Sequence, residues 1–161
     1  MFIFDATPLI YLAKSEKLEK VAKLEEEKAI PEKVYKEVVE NSKGEPDAQR
    51  IEKQVKNGKF KIQETEVEKT VEGLSQADLQ VLKIAEEENA TAIMDEENGR
   101  NLAKAKGVQT RGTAFIALKT QKKGIITEKE SKNIIDEMID QGWYCSTDLY
   151  KELIRKIEMI D

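Results

Sequence analysis

Two short apolar blocks in this chain run directly into an aspartate: Phe2-Ile3-Phe4 ends at Asp5, and Thr91-Ala92-Ile93-Met94 ends at Asp95. Blocks this short and apolar on both faces are expected as strands of a parallel sheet covered by helices on each side. The segments between them carry the helices such a sheet needs. The expected class is therefore α/β, a three-layer α/β/α arrangement around a central parallel sheet of about four to five short strands.

The rest of the chain fills in that pattern. Thr7-Pro8 is a helix-start signal, and Leu9, Ile10 and Leu12 carry helical spacing. Leu18, Val21 and Leu24 continue it as a second short helix after a cap at Ser15. Ala29-Ile30 is expected as a very short strand. Pro31 then opens a helix on which Val34 and Val38, and Tyr35 and Val39, recur at i and i+4, ending between Asn41 and Gly44. Glu37 lies on that helix. A weaker helix over 47–56 is broken by Asn57-Gly58, and Phe60 and Ile62 alternate with lysines as in a strand. The charged stretch 64–72 is expected as a solvated connection.

Leu74-Ser75-Gln76-Ala77-Asp78 matches a capping box, opening a helix with the apolar face Leu79, Leu82, Ile84 and Ala85. After Asp95 a short helix runs from Glu97 to Lys106-Gly107, and Val108 begins a last strand. Gly112-Thr113 starts a helix through Leu118 that stops at Gly124. Two more helices, over 127–138 and 147–160, are separated by Gly142 and Trp143. With 161 residues and 39% apolar content, one compact domain is expected. Its core spans about 1–122, and a C-terminal helical extension spans about 125–161, because neither last helix buries a core alone.

Composition removes most site chemistries. The chain contains no histidine, which excludes imidazole bases, Ser-His-Asp and Cys-His nucleophiles and every His-containing metal motif. Its eight glycines never form a G-x-G pair or a G-K-[ST] phosphate loop. Charged residues make up 37%, with 27 basic against 32 acidic, and the net charge of -5 argues against a broadly basic nucleic-acid-coating surface while leaving room for a local basic groove. The single cysteine, Cys145, forms neither an internal disulfide nor a zinc ribbon, so a cytoplasmic address is expected. No apolar run approaches membrane-spanning length, and no membrane association is expected.

Carboxylates remain, and the fold class gives them a place. Ligands of open parallel sheets bind outside the carboxyl ends of the strands, where Asp5 and Asp95 stand. Asp78 sits in a helix's first turn, and Glu37 projects from another helix. Carboxylates converging in one cleft repel unless a divalent cation neutralises them, and an all-oxygen set favours magnesium or manganese. Acids plus such a metal indicate phosphoryl transfer. Each residue also has a plainer role: Asp5 as N-cap of the Thr7-Pro8 helix, Asp78 as capping partner of Ser75, Glu37 as a solvated helix position, and Asp95 as a turn acid.

Taken in order, the motifs resemble the PIN-domain nucleases, in particular VapC-like toxins and a related prokaryotic subfamily. The resembling stretches are Ile3-Phe4-Asp5-Ala6-Thr7-Pro8-Leu9-Ile10, Ile30-Pro31-Glu32-Lys33-Val34-Tyr35-Lys36-Glu37, Leu74-Ser75-Gln76-Ala77-Asp78, Met94-Asp95-Glu96-Glu97-Asn98-Gly99-Arg100 and Arg111-Gly112-Thr113. The resemblance implies that Asp5, Glu37, Asp78 and Asp95 gather around magnesium or manganese, with Thr7 and Thr113 as hydroxyls near the same cleft. Many members carry a second Asp after the fourth acid; this chain has Glu96, an outer ligand at most. Arg100 matches a basic position suited to a phosphate, with pairing to a neighbouring Glu as its plainer role.

The implied activity is metal-assisted hydrolysis of single-stranded RNA, leaving a 5′-phosphate and a 3′-hydroxyl. Lysines over 104–106 and 119–123 are either phosphate contacts at the rim or solubilising surface. The resemblance also implies a homodimer and a small antitoxin protein occupying the cleft. Ile134, Ile135, Met138, Ile139 and Trp143 are read as a covered core face or as the surface that meets such partners. Two other classes stay open: a non-catalytic PIN-like module that binds RNA or protein, and another magnesium-dependent phosphohydrolase. An aspartyl-phosphate phosphatase wants a second acid two residues after Asp5, where Thr7 stands.

Overall fold

A computed structural model describes residues 1–160. The strands are β1 (Phe2–Phe4), β2 (Lys28–Pro31), β3 (Lys61–Gln63), β4 (Thr91–Ile93) and β5 (Thr110–Arg111). The helices are α1 (Ala6–Lys14), α2 (Leu18–Val21), α3 (Glu32–Val38), α4 (Pro46–Lys56), α5 (Gln76–Glu88), α6 (Glu97–Ala105), α7 (Thr113–Lys122), α8 (Glu128–Asp140) and α9 (Thr147–Glu158). All strand pairs are parallel, in the order β3-β2-β1-β4-β5. The α/β class and the parallel sheet expected from the apolar blocks are both present, with the C-terminal helices after the last strand.

Strand order explains strand composition. β1 is the centre of the sheet, with Phe2 opposite Lys28 on one side and Phe4 opposite Ile93 on the other, and all three of its residues are buried. Phe2 and Phe4 share a face by alternation, and they meet Phe115 of α7 and Phe60 edge-on, at ring-centroid distances of 6.4 and 5.3 Å. Helix α5 packs on β1, β2 and β4, whereas α1 packs with α4, α7 and α8; α3 touches both α1 and α5. One continuous hydrophobic cluster results, running from Phe2 to Ile157.

Several elements are shorter than the periodicity suggests. The second helix is a single turn ending at Val21, although Leu24 beyond it is still buried. α3 ends at Val38, and a 3₁₀ turn over Glu40–Ser42 completes the segment. The last strand begins at Thr110, and Val108 lies buried just ahead of it. Phe60 and Ile62 do not share the core. Phe60 is buried under Phe4 just before β3, while Ile62 is 41% exposed because β3 is an edge strand. No helix among the described residues is long and apolar enough to cross a membrane.

Candidate active site

The chain builds the sheet outward from β1 in two directions, first β2 and β3, then β4 and β5. The reversal falls between β1 and β4, and at such a point the loops leaving the two strands part and open a crevice at the carboxyl end of the sheet. Asp5 follows β1 there and Asp95 lies just after β4. A cavity of about 470 Å³ occupies the crevice, lined by Asp5, Ala6, Thr7, Glu37, Gly73, Leu74, Ser75, Asp78 and Glu96. Four carboxylates are in that lining and no basic side chain is.

Asp5 is 3% exposed. Its backbone N–H donates to Ile93 O, which ties it to the sheet, and its Oδ1 accepts from Ala6 N at 2.9 Å as the N-cap of α1. Burial, then the Asp78 charge, hold its carboxyl well above the ordinary value, with Glu96 adding to the effect and the Ala6 N–H opposing it. The capping role and the cavity role therefore coexist in one side chain.

Asp78 occupies the third position of α5. Its Oδ2 accepts from Ser75 N at 2.9 Å while its own N–H donates to Ser75 Oγ at 3.0 Å, the reciprocal pair of a capping box. Glu37 is exposed on the last turn of α3, and burial followed by the charges of Asp78 and Glu96 push its carboxyl up. Thr7, on the first turn of α1, is in the lining as well.

Asp95 is placed differently. Its Oδ1 accepts from Thr113 N at 2.9 Å and its Oδ2 from Thr113 Oγ1 at 2.7 Å, so both oxygens are directed at the start of α7, and it is not in the cavity lining. Burial raises its carboxyl, opposed by the two Thr113 hydrogen bonds and by Arg100. Thr113 is fully buried beneath it. Gly112 permits this contact by sterics and not by conformation: its φ is -97°, but an added Cβ would stand 2.6 Å from Asp95 Oδ1. Arg100 belongs to the same corner, its Nη1 3.5 Å from that Cβ position, and lies outside the lining.

Two features of the site escaped the sequence reading. Gly73, Leu74 and Ser75 form one wall of the cavity, and only the fold brings them opposite Asp5. Tyr11 lies one turn after Thr7 on α1, where burial and then the Asp95 and Glu96 charges raise its phenol; the i, i+4 spacing from Thr7 was the available signal. Of the rim lysines, Lys119 pairs with Glu26 at 2.9 Å, and Lys106 lines a separate hollow between the ends of α5 and α6. Among the described residues no three acidic or cysteine side chains form a group that could hold a metal ion as they stand. The donor set nevertheless suits a hard divalent cation: it is all oxygen, anionic and free of basic neighbours, and exposed Glu37 and Glu96 can reorient.

This crevice, on a five-stranded parallel sheet with helices following the last strand, defines an α/β protein of the PIN type. The PIN-domain model of the DUF3368 family matches residues 1–159, and the chain belongs to that family. A search of curated proteins returned no match. Among solved structures, the chain is similar to a PilT N-terminus domain protein from the hyperthermophilic archaeon Sulfolobus solfataricus, with 16% identity and a TM-score of 0.55, covering 74% of this chain and 93% of that one. It is also similar to a domain of a functionally unknown protein from Methanocaldococcus jannaschii, with 19% identity and a TM-score of 0.46, covering 69% and 89%.

Proposed function

We propose that this chain is a divalent-metal-dependent endoribonuclease that hydrolyses phosphodiester bonds of single-stranded RNA. The observation that carries the reading is the convergence of carboxylates from the end of β1, from α3, from the start of α5 and from the turn after β4 on one cavity whose lining holds no basic side chain. Membership of the PIN domains, a family of typically metal-dependent nucleases, supports it.

In this reading Asp5, Glu37 and Asp78 hold magnesium or manganese. When bound, the cation supplies a lowered pKa for a water molecule and stabilises charge on the phosphate oxygens. The chain's own contributions are positional. Ala6 N–H orients one Asp5 oxygen, and the Ser75 backbone orients one Asp78 oxygen, leaving the second oxygen of each carboxylate for the cavity. Glu37 closes the crevice from the α3 side, and the Thr7 hydroxyl is placed to position a phosphate or a water. The proposal includes a homodimer and a small antitoxin protein that covers the cleft.

The test is cleavage of a labelled single-stranded RNA with magnesium, with manganese and with chelator, beside Asp5→Asn. Metal-dependent products with 5′-phosphates, reduced about 100-fold or more in the variant, are expected. A folded wild type that neither cuts RNA nor is stabilised by metal would sink the reading and favour a non-catalytic binding module.

A further inference from the structure

Helix α1 starts at the crevice with Thr7 in the cavity lining, and Tyr11 stands one turn further along the same face. Side chains of a helix lean toward its N-terminus, so the Tyr11 ring covers the turn that carries Thr7 and is directed toward the carboxyl end of the sheet. The Asp95 and Glu96 charges both reach its phenol there. The ring belongs to the core and is 7% exposed, yet among the described residues the hydroxyl at its tip has no hydrogen-bond partner and is not sealed from solvent. Tyr150, by contrast, donates its hydroxyl to Asp136 at 3.0 Å. A rigidly held donor with no internal acceptor is free to meet a bound molecule.

We propose that the Tyr11 hydroxyl and the Glu96 carboxylate together bind the 2′-hydroxyl of a ribose beside the scissile phosphate, and so set a preference for RNA over DNA; the inference rests on the nuclease reading above and names how that site selects its substrate. The surroundings decide the chemistry. Asp95 and Glu96 make this rim negative, which opposes a phosphate oxygen and suits a neutral group able both to donate and to accept. A ribose 2′-hydroxyl does both, and it is the group by which a protein tells RNA from DNA. Tyr11 supplies the donor, because burial and then the two neighbouring charges hold its phenol above its ordinary value and keep its proton in place at neutral pH. Glu96 supplies the acceptor: it is exposed and lines the cavity, whereas both Asp95 oxygens already accept from Thr113. A deoxyribose would leave this donor and acceptor without their partner.

The contact is read by kcat/KM on two oligonucleotides of one sequence, all-ribose and all-deoxyribose, cut by the full wild-type chain and by Tyr11→Phe with Mg²⁺, together with equilibrium binding of the same pair in Ca²⁺. Wild type is expected to favour the RNA in both assays. Tyr11→Phe keeps the buried ring, so the metal-free melting temperature and Mn²⁺ affinity should not move. Its kcat/KM and affinity on RNA are expected to fall about fivefold to tenfold, against less than about twofold on DNA. A tyrosine with a structural role alone would lower both strands alike. Equal losses on the two strands, a wild-type rate and affinity on RNA in Tyr11→Phe, or a wild type that cuts both strands without preferring RNA would overturn the inference. RNA-selective binding lost in Tyr11→Phe, from a wild type that cuts neither strand, removes the nuclease reading alone, and a wild type that neither cuts nor binds RNA removes both.

Discussion

Asp5 is held between two demands. Its position after a central strand buries it, and its neighbours Asp78 and Glu96 carry the same charge, so the metal-free native state resists ionising it. An acid whose folded value lies above its ordinary 3.8 binds more protons folded than unfolded in the interval between the two. Native stability without metal therefore falls as pH rises through that interval and stays lower above it. Asp5→Asn keeps an oxygen for Ala6 N, loses the charge, and is expected to melt higher than wild type at neutral pH without metal while losing activity; a lower melting temperature would contradict this. Gly112 makes the opposite kind of demand. Gly112→Ala forces a methyl against Asp95 Oδ1, and a loss of about 1 to 3 kcal/mol in denaturant unfolding is expected.

Among the elements, α8 and α9 supply no residue to the cavity lining yet belong to the same core. Leu153 and Ile157 of α9 are buried in it, and Gln121 of α7 donates to Ile157 O at 2.9 Å. Ile157→Ala is expected to destabilise the fold by about 2 to 4 kcal/mol, read from denaturant midpoints, while leaving Mn²⁺ affinity in the folded protein unchanged. The start of α8 carries an acid-sensitive anchor. Glu130 accepts from Thr127 N at 3.1 Å and pairs with Lys20 at 3.0 Å, and the Lys20 hydrogen bond, with the Thr127 N–H and the Lys20 charge, holds its carboxyl below the ordinary value against burial. Its contribution is complete above the unfolded value of 4.5 and is lost as pH falls through the lower folded one. Glu130→Gln should therefore flatten the acid limb of the stability curve slightly, and an unchanged limb would show the pair to be inert.

Over the whole molecule, one cluster links both ends of the chain, so the crevice and the C-terminal helices are expected to unfold together in a single transition. A divalent cation bound only by the native state should then raise the stability of the entire chain, by about 2.7 kcal/mol at one hundred times its dissociation constant, reversed by chelator. Two transitions, only one of them metal-sensitive, would show the C-terminal helices to be a separate unit.

The apolar blocks ending at Asp5 and Asp95 were enough to read a parallel α/β sheet, because strands buried on both faces leave no polar alternation. The capping box at Ser75 and Asp78 was equally legible, since it is a local hydrogen-bond pattern four residues long. Side-chain direction at the turn after β4 was not. Asp95 and Glu96 are adjacent acids that look interchangeable in one dimension, and the choice between them depends on Thr113 and Gly112, which return to the same corner only after α6 and β5. Nor could spacing show that Gly73 and Leu74 share a cavity with Asp5. Strand and cap positions and the acids at strand ends were readable from the residues to within a residue or two, because they follow from contacts between near neighbours. Which carboxylates share a cavity emerges with the folded chain, because it depends on strand order and on the contacts that the second half of the chain brings back to the first.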